Sequence, residues 1–237
     1  MFKYSSQTRV LVAVDCIIVG FDGTNYKLLI VNRGYTPERE KWSLMGGFLK
    51  ANESLDESAQ RIVKQLTGLE NTFMEQLHSF SMPNRDPVER VVGVAYMVLI
   101  DIEKYQKQNS KEFQAGWFKP DQIPKLIYDH EEMVEMAFHR LRSKATFQPI
   151  LFELLPEKFT MPKLQALYEN LFATKIDKRN FTRKLILSKI IKKTNEKDKT
   201  ASKKGAFYYT LNPLANKENF QNTLNLIPKR EMMGKHE

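Results

Sequence analysis

Residues 47–69, GFLKANESLDESAQRIVKQLTGL, restrict what this 237-residue chain can become more than any other stretch. A glycine loop leads to Ser54, and apolar residues then recur at Leu55, Ala59, Ile62, Val63 and Leu66, the spacing of a helix with one buried side. Gly68 stops that helix as a C-cap. The preceding WSLMGGFL reads as a strand, so strand, glycine loop and helix follow one another.

Gly47, Glu53, Arg61 and Gly68 stand at the spacing of the Nudix signature, which this stretch therefore resembles. In that signature three helical glutamates hold divalent metal against a diphosphate. Here they fall on Ile62, Gln65 and Leu66. Phosphoanhydride hydrolysis needs hard cations, and magnesium is held by oxygen ligands, chiefly carboxylates. Positions 62, 65 and 66 are related by i, i+3 and i+4 and would share one helix face, yet none offers an anionic oxygen. The expectation is a framework without catalytic residues, metal or cofactor, which binds without turnover. A hydrolase using Glu53, Glu57 and some further carboxylate is the rival.

Around this stretch, residues 1–144 read as an α/β module. Segments 9–21 and 26–33 form a hairpin about the turn Asp22-Gly23-Thr24-Asn25, and strands follow at 72–81, 90–100 and around 116–118. The run VVGVAYMVLI is apolar enough to be buried on both faces. Asp129 with Glu132 reads as a cap for a helix whose stripe is Met133, Met136, Ala137 and Leu141. The longest apolar run, 10–21, is interrupted by Asp15 and is too short for a membrane helix. No cleavage site follows it, so it reads as a core strand. Cys16, the lone cysteine, is expected to be a buried thiol in a reducing cytoplasm.

Charge separates the chain into two parts. Residues 1–150 carry 19 Lys and Arg against 19 Asp and Glu, whereas 151–237 carry 18 against 9, so the whole excess of +9 lies in the C-terminal part. That balance suits a basic module meeting a polyanion.

Its organisation fits residues 145–212 as a winged helix-turn-helix, with 213–237 a flexible tail. Thr160 caps a helix with Pro162 in its first turn and Leu164, Leu167, Tyr168, Leu171 and Phe172 on one face. Asp177 caps a second helix in which Phe181 and Leu185 turn inward. Lys178, Arg179, Asn180, Thr182, Arg183 and Lys184 are then the candidate DNA-contacting residues of a recognition helix. Segments 190–195 and 207–211 pair as a wing about EKDKTASKKGA, whose Lys197, Lys199, Lys203 and Lys204 would meet phosphates. A helical accessory domain or a protein-binding winged helix is the alternative.

Both parts together resemble the Nudix-related transcriptional regulators. The likeness runs through VAVDCIIVGF, WSLMGGFL, TGLENTFMEQL, NRDPVERVV, LIYDHEEMV, LLPEKFTMPKLQALYE and DKRNFTRKL. It implies a Nudix-like α/β/α sandwich with a mixed sheet, followed by the winged helix. Within that group the resemblance is closest to the arabinose regulators of Bacteroidetes. It implies a cytoplasmic homodimeric repressor on a pseudo-palindromic double-stranded operator, controlled by a pentose such as L-arabinose. Repressors of NAD synthesis that sense ADP-ribose are the related alternative. The segment FSMPNRD departs from the arabinose type and leaves the sugar open. Carried over to these positions, the effector site comprises Arg33, Trp42, Gly46, Gly47, Arg85, Asp86, Arg90, Asp129 and His130.

Overall fold

A computed structural model of the chain describes residues 7–105, 114–200 and 205–215. Strand β1 (Leu11–Phe21) is the axis of the first module. It runs parallel to β6 (Val91–Leu99) along nearly its whole length. Its first half pairs antiparallel with β4 (Met45–Phe48) and its second half with β2 (Tyr26–Asn32). On one side of this centre β2 continues to β3 (Trp42–Ser43) and β7 (Gln114–Phe118), and on the other β6 continues to β5 (Phe73–Phe80). The segment 42–49, expected as one strand, is thus two: its halves bond to different neighbours, and Leu44 lies at the break.

Alternation along β1 assigns its side chains to two faces. Val14, Cys16 and Ile18 meet Ala59, Ile62, Val63 and Leu66 of α1 (Leu55–Thr67). That helix starts at a capping box between Ser54 and Glu57 and ends at Gly68, whose φ of 67° is left-handed. Ile17, Val19 and Phe21 face the opposite way, towards α3 (His130–Ala145), which follows the short α2 (Ile102–Tyr105) and β7. The result is the expected mixed α/β sheet between helices.

The second module is built from a 3-10 turn at Ile150–Leu154, β8 (Phe159–Thr160), α4 (Met161–Leu171), α5 (Lys178–Leu187), β9 (Ile191–Asp198) and β10 (Ala206–Leu211). Two helices and a β8-β10-β9 sheet make a winged helix, with one short strand more than the sequence pattern suggests. The apolar core does not stop between the modules. Phe21, Tyr26, Phe138, Leu151, Leu167 and Phe181 belong to one cluster, and the buried Tyr26 hydroxyl donates to the Leu167 carbonyl at 3.0 Å.

Candidate functional site

The cleft opens over β1, β4 and the loop after β2, with a cavity of about 1030 Å³. Because Asp15 shares its face of β1 with Ile17, its carboxylate points under the start of α3 rather than into α1. Gly46 is its partner across the ladder, and a Cβ there would sit 2.3 Å from Asp15 Oδ1. Only glycine leaves that carboxylate its place.

Around Asp15 stand Arg85 and His130, each just beyond hydrogen-bond reach. Arg85 Nη2 lies 3.6 Å from Oδ2, and His130 Nε2 lies 3.7 Å from Oδ1. Arg85 is already held by Asp129 through two parallel bonds of 2.7 Å. It crosses β6 at Gly93, where a Cβ would meet the guanidinium at 2.7 Å. The Leu44 amide donates to His130 Nδ1 at 3.1 Å, so a neutral ring carries its proton on Nε2, facing Asp15. Burial pushes the Asp15 carboxyl above the usual carboxylate range despite both neighbours, and burial holds His130 below the ordinary histidine value. Asp15 Oδ2 and the Tyr128 hydroxyl are buried without a hydrogen-bond partner among the described residues, and Asp15 and Tyr128 both line the cavity. Tyr128 has a left-handed φ of 53°, between Ile127, bonded to the Trp42 carbonyl, and the clamped Asp129.

Arg33, Gly46, Gly47, Arg85, Asp86 and His130 line this cavity as the sequence suggested. Three expected residues do not. The Trp42 ring lies against Phe118 at 4.9 Å, because alternation along β3 turns Ser43 towards the cleft instead. Arg90 is exposed, donating to the carbonyls of Met82 and Val91. Asp129 makes no side-chain cap; its carboxylate is committed to Arg85. Asp15, Tyr128, Tyr35 and Arg39 also line the cavity, outside the set expected from the sequence. For Asp15 there was a signal, a single charge inside an apolar run.

The residues present do not fit magnesium. Ile62 and Leu66 are core side chains, each 1% exposed, and Gln65 points to solvent, so the three positions do not converge on a cleft face as expected. Glu53 accepts from Arg61 at 2.6 and 2.9 Å and from the Lys50 amide. The hydrogen bonds from Arg61 hold its carboxyl at about 2. Glu57 is occupied by the Ser54 cap. Among the described residues no group of three or more His, Cys, Asp or Glu side chains could hold a metal ion.

In the second module Asp177 caps α5 by accepting from the Asn180 amide, and Phe181 and Leu185 are buried. Lys178, Arg179 and Arg183 are exposed, while Asn180, Thr182 and Lys184 are half-buried. Arg183 donates to Asn180 Oδ1 at 3.2 Å. On the wing, Lys193 and Lys197 stand over the Phe207 ring at 3.5 and 4.4 Å. Lys203, Lys204 and the tail from 216 onward lie outside the described residues. No helix among the described residues is long and apolar enough to cross a membrane.

Two family profiles match the chain, the NUDIX domain over residues 10–137 and the NrtR DNA-binding winged helix domain over residues 151–211. The chain is 30% identical over 212 residues to the ADPR responsive transcriptional repressor NtrR of Acinetobacter baylyi, covering 88% of this chain and 84% of that protein. It is 31% identical over 134 residues to the ADP-ribose pyrophosphatase of Methanocaldococcus jannaschii, covering 56% of this chain and 76% of the enzyme. The crystal structure of Shewanella oneidensis NrtR complexed with a 27mer DNA superimposes with a TM-score of 0.77 at 27% identity, covering 91% of this chain and 96% of that one.

Proposed function

The chain belongs to the Nudix family and carries an NrtR-type winged helix, and from that premise we propose that it is a DNA-binding transcriptional repressor whose Nudix cleft senses a small molecule of the ADP-ribose type. The observation that carries this reading is the pairing of a roomy cleft, without a group of three possible metal ligands among the described residues, with a basic winged helix that shares its core. A receptor that hydrolysed its effector would erase its own signal.

An effector of the ADP-ribose type takes the place of the arabinose or other pentose that the resemblance implied. The Acinetobacter relative is named for its response to ADP-ribose. A cavity of about 1030 Å³ also suits a dinucleotide-sized ligand better than a free five-carbon sugar. Arg33 and Arg39 line it and offer positive charge for a diphosphate. Two copies on a two-fold operator remain part of the proposal, because one recognition helix reads few base pairs.

Thermal-shift titration tests the effector. Saturating ADP-ribose should raise the melting temperature, since a ligand at about 100 times its Kd adds roughly 2.7 kcal/mol. L-Arabinose and D-xylose should leave it unchanged, and the reverse pattern would restore the pentose reading. Release of phosphate-containing product above that of a Glu53→Gln/Glu57→Gln variant, with magnesium present, would instead show a hydrolase.

A further inference from the structure

Within the cleft, Asp15, Arg85 and His130 are the buried charged or titratable groups, whereas Arg33, Arg39, Glu40, Asp86 and Glu89 line it nearer to solvent. Asp15 is 6% exposed, and among the described residues its Oδ2 has no hydrogen-bond partner although Arg85 and His130 stand 3.6 and 3.7 Å from its two oxygens. The Tyr128 hydroxyl, also unpartnered and buried, belongs to the same cavity wall. Its left-handed backbone follows Ile127, which bonds to Trp42, and precedes Asp129, which bonds to Arg85. Unpartnered buried polar atoms are costly, and strained backbone persists only where its surroundings hold it, so both features point to a ligand that completes them.

The chemistry of that ligand follows from the donors and acceptors. Asp15 only accepts when ionised, Arg85 and His130 Nε2 only donate, and Tyr128 can do both. A phosphate would meet the Asp15 carboxylate, and an ammonium would meet Arg85. Neutral hydroxyl groups, each both donor and acceptor, satisfy every member of the set. We infer that Asp15 and Tyr128 bind the hydroxyls of a sugar ring at the floor of the cleft, with Arg33 and Arg39 left for phosphates towards its mouth. This rests on the cleft being the effector site, and for an effector such as ADP-ribose it places the terminal ribosyl ring inward.

Calorimetric titration of the full chain and its Asp15→Asn and Tyr128→Phe variants with ADP-ribose, ADP, D-ribose and L-arabinose tests this. ADP-ribose should bind at least tenfold more weakly to each variant, whereas ADP, which lacks the terminal ring, should bind all three proteins alike. If a free pentose binds and ADP-ribose does not, with the same loss in the variants, the sugar site stands and the ADP-ribose effector falls. ADP-ribose binding equally to all three proteins overturns the sugar site and leaves the effector reading intact. Failure of every compound to bind the unaltered chain overturns both. Tyr128→Phe removes only a hydroxyl that has no hydrogen-bond partner among the described residues, so it keeps the test valid should Asp15→Asn fold poorly.

Discussion

Asp15 is a carboxylate that the protein carries at a cost. Its folded-state pKa lies above the ordinary 3.8, so its ionisation destabilises the fold increasingly as pH rises above about 4. Asp15→Asn should therefore match the unaltered chain near pH 4 and exceed it at pH 7, by on the order of 1 kcal/mol, the typical penalty of an unsatisfied buried group. Urea unfolding at the two pH values checks this, and a variant less stable at pH 7 would show that Arg85 outweighs burial. Histidine 130 has the opposite sign. Buried and held below 6.5, it costs stability as pH falls from about 6.5, where the unfolded chain takes up a proton that the folded chain refuses. The positions at which the Nudix signature carries its glutamates differ among themselves in the same physical terms. Gln65→Glu at an exposed site should change stability by less than about 0.5 kcal/mol. Leu66→Glu buries a charge among Ala59, Ile62 and Val63 and should cost more than about 3 kcal/mol. Thermal melts of the two variants separate a retained cleft from a dismantled one.

At the level of elements, α5 and the wing carry the DNA reading. Arg179→Ala with Arg183→Ala removes two exposed side chains and leaves Phe181 and Leu185 packed, so sequence-specific DNA retention should vanish while the melting temperature stays within about a degree. Lys192→Ala and Lys193→Ala on β9 should weaken binding to all sequences and flatten its dependence on salt. Retained specific binding by the double arginine variant would place recognition elsewhere. These elements were legible in the sequence because they are local: Thr160, Pro162, Asp177 and the spacing of Leu164, Leu167, Phe181 and Leu185 are read within a few turns. The same held for α1, whose cap at Ser54 and stop at Gly68 are short-range features. The cleft was only half legible. Its floor joins β1, the 81–90 loop and the start of α3, and no periodicity tells that Asp129 leaves its cap to hold Arg85, or that the break at Leu44 turns Trp42 away. Asp15 was passed over because an apolar run reads as core, and its partner Gly46 reveals nothing until the strands are paired.

Across the molecule, the two modules are joined by shared packing rather than by a free tether. Tyr26 of β2 donates to Leu167 of α4, Arg142 donates to the Leu171 carbonyl, and Lys163 reaches Glu103 at 2.5 Å. Tyr26→Phe should cost about 1 kcal/mol of stability and loosen the placement of the winged helix. Through such contacts a ligand in the cleft can bias where the recognition helix stands, and a tenfold change in operator occupancy requires only about 1.4 kcal/mol of coupling. The most direct test is fluorescence anisotropy of the full chain on an operator selected from random DNA, with and without saturating ADP-ribose. ADP-ribose should shift operator affinity at least tenfold and be recovered unhydrolysed; an affinity unchanged at saturation would contradict a cleft that governs DNA binding.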